Sequence, residues 1–171
     1  MSMKRSIAPI TSGCVKLYLL EEGDLSNTLR WRNQDHIRQW FIFSNIISDE
    51  QHRGWFEKYK TNDNDFVFII AETCDLNKPV GQISLYNINW EQKQAEFGRL
   101  LIGEESALHK GIARQALQMI VDFGLNDLGL QRIYLEVFKT NTAAISLYQK
   151  CGFVFSGERD DLLIMEISPS S

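Results

Sequence analysis

The sequence predicts an α/β (α+β) domain: a mixed, mostly antiparallel central sheet of about seven strands with about four helices. Three observations carry this. Short β-type apolar segments recur along the chain, closed by Gly, Pro and Asn turns. Three of them, residues 66–72, 80–87 and 95–102, have connections so short that only antiparallel pairing fits. A long amphipathic helix then separates 95–102 from 131–138, which makes a β-α-β unit with parallel strands.

Taken in order, residues 1–14 hold Lys4 and Arg5 but no long apolar core, and read as a flexible arm before a single domain over 15–167. Residues 15–20 are the first strand. Asp24 can cap a helix carrying Leu25 and Leu29. Ser48 and Gln51 form a capping box, and the helix they start puts His52, Trp55, Phe56 and Tyr59 on one face. Residues 66–72 are continuously apolar and read as a buried strand; Pro79 closes the turn after them. In the helix from 112 to 128, Ile112, Ala113, Ala116, Leu117, Ile120, Val121 and Leu128 recur at helical spacing, and Gly129 stops it. Ile133, Leu135 and Val137 alternate through the next strand. Ala144, Leu147, Tyr148 and Cys151 share a helical face ended by Gly152. Residues 153–157 and 162–167 complete a terminal hairpin, and 168–171 are a tail.

Composition narrows the function. A 171-residue chain that is 44% hydrophobic suits one domain with a full core and excludes disorder. A net charge of −4 with no basic stripe argues against nucleic acid as a partner. The longest apolar run, residues 66–71, is too short to span a bilayer, so no membrane partner is expected. Cys14, Cys74 and Cys151 are odd in number and lack a C-x-x-C pair. No metal site or disulfide framework is expected from them, and reduced thiols in a cytoplasmic protein fit.

The chemistry concentrates at the start of the helix after 95–102. His109, Lys110, Gly111, Ile112, Ala113 and Arg114 put bare backbone, two cations and unpaired N–H groups at its positive end. This is an anion cradle, though neither a P-loop nor a dinucleotide fingerprint. Arg30, Arg32 and Arg38 lie among Trp31, Trp40 and Phe41, a mixture that lines a ligand groove or builds a solvated helix with buried aromatic anchors. His52 is either a core residue or a base, and Glu96 either an exposed strand carboxylate or a base.

The run N-T-A-A-I-S-L-Y-Q-K-C-G-F from Asn141 to Phe153, behind the loop H-K-G-I-A from His109 to Ala113, resembles the signature of the GCN5-related N-acetyltransferases. The two motifs cover residues 95–155. The Arg or Gln that usually opens the loop motif falls at Leu108. The resemblance implies that the two parallel strands splay apart and that acetyl-CoA is bound, its pyrophosphate on the amides of His109 to Arg114. Its pantetheine arm would run beside Leu100, Leu101 and Ile102, with Asn141 hydrogen-bonding the arm and Tyr148 facing the thioester sulfur. The chemistry needs an oxyanion donor, for which the Leu101 amide is a candidate, and an acid for the departing thiolate. A Tyr hydroxyl, with a reference pKa of about 10, suits that role. The base is Glu96 or His52. A core role for Tyr148 is the alternative.

W-R-N from Trp31, with H-I-R-Q-W and I-S-D-E-Q-H-R-G-W-F, is similar to acetyltransferases of nucleotide-linked amino-dideoxy sugars in the pseudaminic acid pathway. That resemblance implies a nucleotide sugar as the small-molecule amine acceptor, met by Arg30, Arg32, Arg38, Trp31 and Trp40. Ribosomal-protein N-terminal acetyltransferases share W-R-N and supply the alternative. An α-amine near pKa 7.7–8.0 is partly free at neutral pH and a lysine near about 10.4 is not, which disfavours lysine. A non-catalytic acyl-CoA-binding module is the reading from another class. A homodimer is an allowed assembly.

Overall fold

A computed structural model describes residues 3–170; Met1, Ser2 and Ser171, the ends of the expected arm and tail, lie outside the described residues. Eight strands form one sheet: β1 (Ile10–Ser12), β2 (Val15–Leu19), β3 (Phe66–Glu72), β4 (Lys78–Asn89), β5 (Gln94–Ile102), β6 (Arg132–Phe138), β7 (Val154–Arg159) and β8 (Leu162–Ile167). Their order is β1-β2-β3-β4-β5-β6-β8-β7. The expected meander is present, and β5–β6 is a parallel pair between antiparallel neighbours. The helices are α1 (Leu25–Arg32), α2 (Asp35–Arg38), α3 (Asp49–Tyr59), α4 (Ile112–Asp122) and α5 (Thr142–Lys150).

The sheet is covered on both faces. On one, α4 and α5 close a core through Ile112, Leu117, Ile120, Phe97 and Phe153. On the other, α1 and α3 close a smaller one through Leu25, Trp31, Phe56 and Tyr59. Every residue of β3 is buried, which is why its sequence shows no alternation. The Ser48 capping box forms as the sequence predicts. Gly129 takes φ +71° after α4 has widened into a π turn over Phe123–Asp127.

Three expectations are corrected. The arm is no loose segment over residues 3–14: β1 pairs with β2, and Arg5 forms a fork with the Asp63 carboxylate while stacking on Trp90. Lys4 donates to the carbonyls of Tyr59 and Asp65. Asp24 does not cap α1; its carboxylate accepts from the Glu21 amide and the Tyr18 hydroxyl, closing the short 3-10 turn before the helix. Cys14 and Cys74 form a disulfide, and only Cys151 is free. The register Val15↔Glu72 brings the two cysteines to a Cα separation of 5.3 Å at one end of the sheet. The ground for expecting three reduced thiols therefore falls away. Among the described residues, no helix is long and apolar enough to cross a membrane.

Candidate active site

β5 and β6 are held together at only three pairs, Gln94↔Arg132, Ala95↔Ile133 and Glu96↔Tyr134. Beyond Glu96 both strands continue without each other, and a groove of about 520 Å³ opens between them. The splay has a local cause. Arg99 takes φ +55° and the β4–β5 register shifts beside it, so β5 bulges away from its ladder. Leu100, Leu101, Ile102, Ala113, Asn141 and Tyr148 all line the groove.

The open edge of β5 offers backbone groups with no strand partner. A Cβ on Gly81 would stand 2.2 Å from the Leu101 carbonyl oxygen, so that carbonyl turns toward β4. The Gly103 amide also bonds to Val80. By strand alternation Leu101 and Gly103 serve the β4 ladder, and the amides of Leu100 and Ile102 face the groove. The Leu101 amide, the candidate oxyanion donor in the sequence, therefore faces β4, and the neighbouring Leu100 amide faces the groove.

At one end of the groove, His109 and Gly111 take φ +62° and +74° on either side of Lys110, directly before α4. Alternating backbone signs of this kind gather successive N–H groups into an anion-binding nest. Lys110 stands 3.8 Å from Asp75. Arg114 lies near the Cys151 thiol, whose pKa burial pushes up against the pull of that cation. A Cβ at Gly111 would meet nothing within 4 Å, so the space above it is open to a ligand. Gly111→Val places a β-branched residue in the left-handed region at a cost of about 1–2 kcal/mol. The expected result is acetyl-CoA affinity lower by at least about fivefold, read by calorimetry. Unchanged affinity would locate the cradle elsewhere.

Asn141 caps α5 by accepting from the Ala144 amide at 3.3 Å, which leaves its side-chain NH2 for the groove. Tyr148 lies on the inner face of α5, edge-on to Phe97 at 5.7 Å and beside Phe153 at 6.0 Å. Burial alone pushes its phenol up to about 12, so it stays protonated. Glu96 is held at both oxygens, by the Tyr86 hydroxyl at 2.8 Å and the Asn87 amide at 3.1 Å. It shares the groove with Tyr148 and with Glu136, a carboxylate the sequence did not single out.

A second cavity of about 460 Å³ lies on the α1–α3 side. Phe41, Phe43 and Arg99 line both spaces, so the two adjoin across β5. His52 lines the second cavity, its Nε2 2.8 Å from the Thr28 hydroxyl, and burial lowers its pKa. The structure thus separates the two candidate bases, Glu96 in the groove and His52 in the second cavity. Arg32 lines the second cavity and Trp40 the groove. The other aromatic and basic candidates serve the scaffold. Trp31 is fully buried under Gly103, where its indole donates to Glu104. Arg30 pairs with Glu104, and Arg38 with Asp35 and the Ser44 carbonyl. Arg99, missed in the sequence, is held by Asp65 at 2.7 Å and lies 4.2 Å from the Tyr86 ring. Its signal was faint: one arginine in the apolar second half of a strand.

A splayed parallel pair, an amide nest and a protonated phenol fit a thioester cofactor with a diphosphate. Known proteins agree. The family model described as Acetyltransferase (GNAT) domain matches residues 15–154. The chain is 30% identical over 141 residues to the spermidine N(1)-acetyltransferase of Vibrio cholerae, covering 82% of this chain and 79% of that one. It is 25% identical over 142 residues to acetyltransferase PseH of Campylobacter jejuni, covering 83% and 84%. The structure of the Vibrio cholerae spermidine N-acetyltransferase with CoA and spermine superposes with a TM-score of 0.82 at 25% identity, over 91% of this chain and 95% of that one. The chain belongs to the GNAT acetyltransferase family, and is an acetyl-CoA-dependent enzyme that transfers an acetyl group to an amine.

Proposed function

We propose that the acceptor is the amino group of a nucleotide-linked amino-dideoxy sugar, seated in the second cavity with its amine reaching the groove past Arg99. The observation that carries this is the charge of the cavity. Arg32 lines it as a cation without a carboxylate partner, beside neutral His52 and Arg99, whose charge Asp65 balances, and among the described residues no Asp or Glu lines it. Two unit charges of like sign about 4 Å apart repel by about 4 kcal/mol at an effective dielectric of about 20. A polyamine would meet that repulsion, and a diphosphate would meet attraction. Trp55, Phe41 and Phe43 supply faces for a base or a sugar ring. The similarity to PseH supports the same reading.

Bound acetyl-CoA supplies the activated acyl carbon. The protein supplies the rest. The Leu100 amide donates to the oxygen on which negative charge develops. Glu96, fixed by Tyr86 and Asn87, receives the proton that leaves the amine. The Tyr148 hydroxyl holds a proton for the departing sulfur. His52, neutral at pH 7 because burial lowers its pKa, orients the acceptor.

A polyamine acceptor is the second reading. It is favoured by the activity named for the Vibrio relative and by Glu96 and Glu136 in the groove. One mass-spectrometric screen with acetyl-CoA separates the readings: UDP-linked amino-dideoxyhexoses, spermidine, spermine and N-terminal peptides. The expected kcat/KM for the nucleotide sugar exceeds that for spermidine by at least about 100-fold. The reverse order rejects the sugar, acetylation of peptides alone installs the N-terminal reading, and no transfer to any amine leaves a binding module.

A further inference from the structure

The second cavity contains a cation whose partner the protein does not provide. Arg32 is only 8% exposed. Its Nη2 donates to the Phe43 carbonyl, and its guanidinium lies 4.2 Å from the centre of the Phe41 ring. Its Nη1 is buried and has no hydrogen-bond partner among the described residues. Among the described residues no carboxylate pairs with it, and the charged neighbour that lowers its pKa is Arg38, another cation. Arg99, on the same cavity, shows what a completed site looks like: Asp65 takes both of its Nη atoms. A buried guanidinium left without an anion is costly, and a fold keeps one where a ligand completes it.

We infer that Arg32 is a specificity-determining residue, whose unpartnered Nη1 turns to the cavity and donates to a phosphate oxygen of the acceptor. This rests on the nucleotide-sugar reading above and assigns its diphosphate a place. The guanidinium is suited to the task, being planar, permanently charged and more weakly hydrated than an ammonium. Its geometry also ties recognition to the rim. The carbonyl held by Nη2 belongs to Phe43, which with Phe41 borders both the cavity and the cofactor groove. One guanidinium therefore joins the anion to the segment between the two ligands, and an acceptor without an anion leaves that junction incomplete.

The test uses protein saturated with CoA, so that the nest before α4 is already filled, and UDP as the probe. Calorimetry should show UDP binding to the wild-type protein, and Arg32→Met should weaken it at least about 30-fold. Arg32→Lys should recover only part of the loss, since it restores charge without the fork. With the nucleotide sugar, Arg32→Met should raise the acceptor KM at least about 30-fold and leave kcat within about threefold. Its melting midpoint should equal or exceed that of the wild type, because an uncompensated buried cation is gone; an arginine with a purely structural role would lower it. Absence of UDP binding to the CoA-saturated wild type, or equal binding by Arg32→Met, overturns the assignment. If the sugar is a substrate and Arg32→Met leaves its KM unchanged, the residue is wrong and the acceptor is right. If spermidine alone is acetylated, the acceptor is wrong, and the UDP measurement still decides whether Arg32 holds phosphate.

Discussion

Tyr148→Phe should lower kcat by at least about tenfold and leave acetyl-CoA affinity unchanged, because positioned acids contribute about 10²–10⁴ to such steps. The substitution is mild in every other respect. The ring keeps its edge contact with Phe97 and its packing on Phe153. Only the hydroxyl is removed, and its proton matters most as charge develops on the departing sulfur, so the loss falls on kcat and not on KM. The pH profile adds a second check. Burial pushes the phenol up to about 12, which favours its neutral form. The proton is therefore present throughout the neutral range and is lost only as pH rises through that value. An ordinary phenol, near about 10, would begin to fail two units earlier. Steady-state rates between about pH 6 and 10 should thus show no alkaline limb that disappears in Tyr148→Phe. Equal turnover of the two proteins would retire the acid role.

The parts of this site that were legible in the sequence are those written in local patterns. The Gly-containing loop before α4 and the Ser48 capping box each lie within a few residues, and the β-α-β unit is one continuous run of chain from β5 to β6. The parts that were not legible depend on register and on distant pairing. Cys14 and Cys74 are 60 residues apart and meet only because β2 and β3 align. The bulge at Arg99 sits where an arginine takes a positive φ, which no propensity forecasts, and it moves the groove-facing amides to Leu100 and Ile102. The second cavity draws on α1, α3, β3, β4 and β5, so no window of sequence contains it. Within the Arg- and Trp-rich segment, composition alone could not tell Arg32, which lines that cavity, from Arg30 and Arg38, which carboxylates hold elsewhere.

The approach of β4 to β5 makes a heavy demand on stability, and Gly81→Ala should show it. A Cβ at Gly81 would stand 2.2 Å from the Leu101 carbonyl oxygen and 3.1 Å from the Ile102 Cα. Both are backbone atoms, so no side chain can rotate to make room. Overpacking of this kind costs about 3 kcal/mol. In a domain of this length that is a fall of about 6–12 °C in the melting midpoint. The direction of relief is also fixed. On its β4 side the strand is held by the Gly81↔Ile102 and Gln82↔Leu101 pairs, while its β6 side is open past Glu96. The added methyl therefore drives Leu101 and Ile102 into the groove, against the edge along which the pantetheine arm is expected to pair. Acetyl-CoA affinity should fall together with the melting midpoint, and CoA should stabilise the variant less than it stabilises the wild type. A variant that melts lower but gains as much from CoA would show that the cofactor does not use this edge.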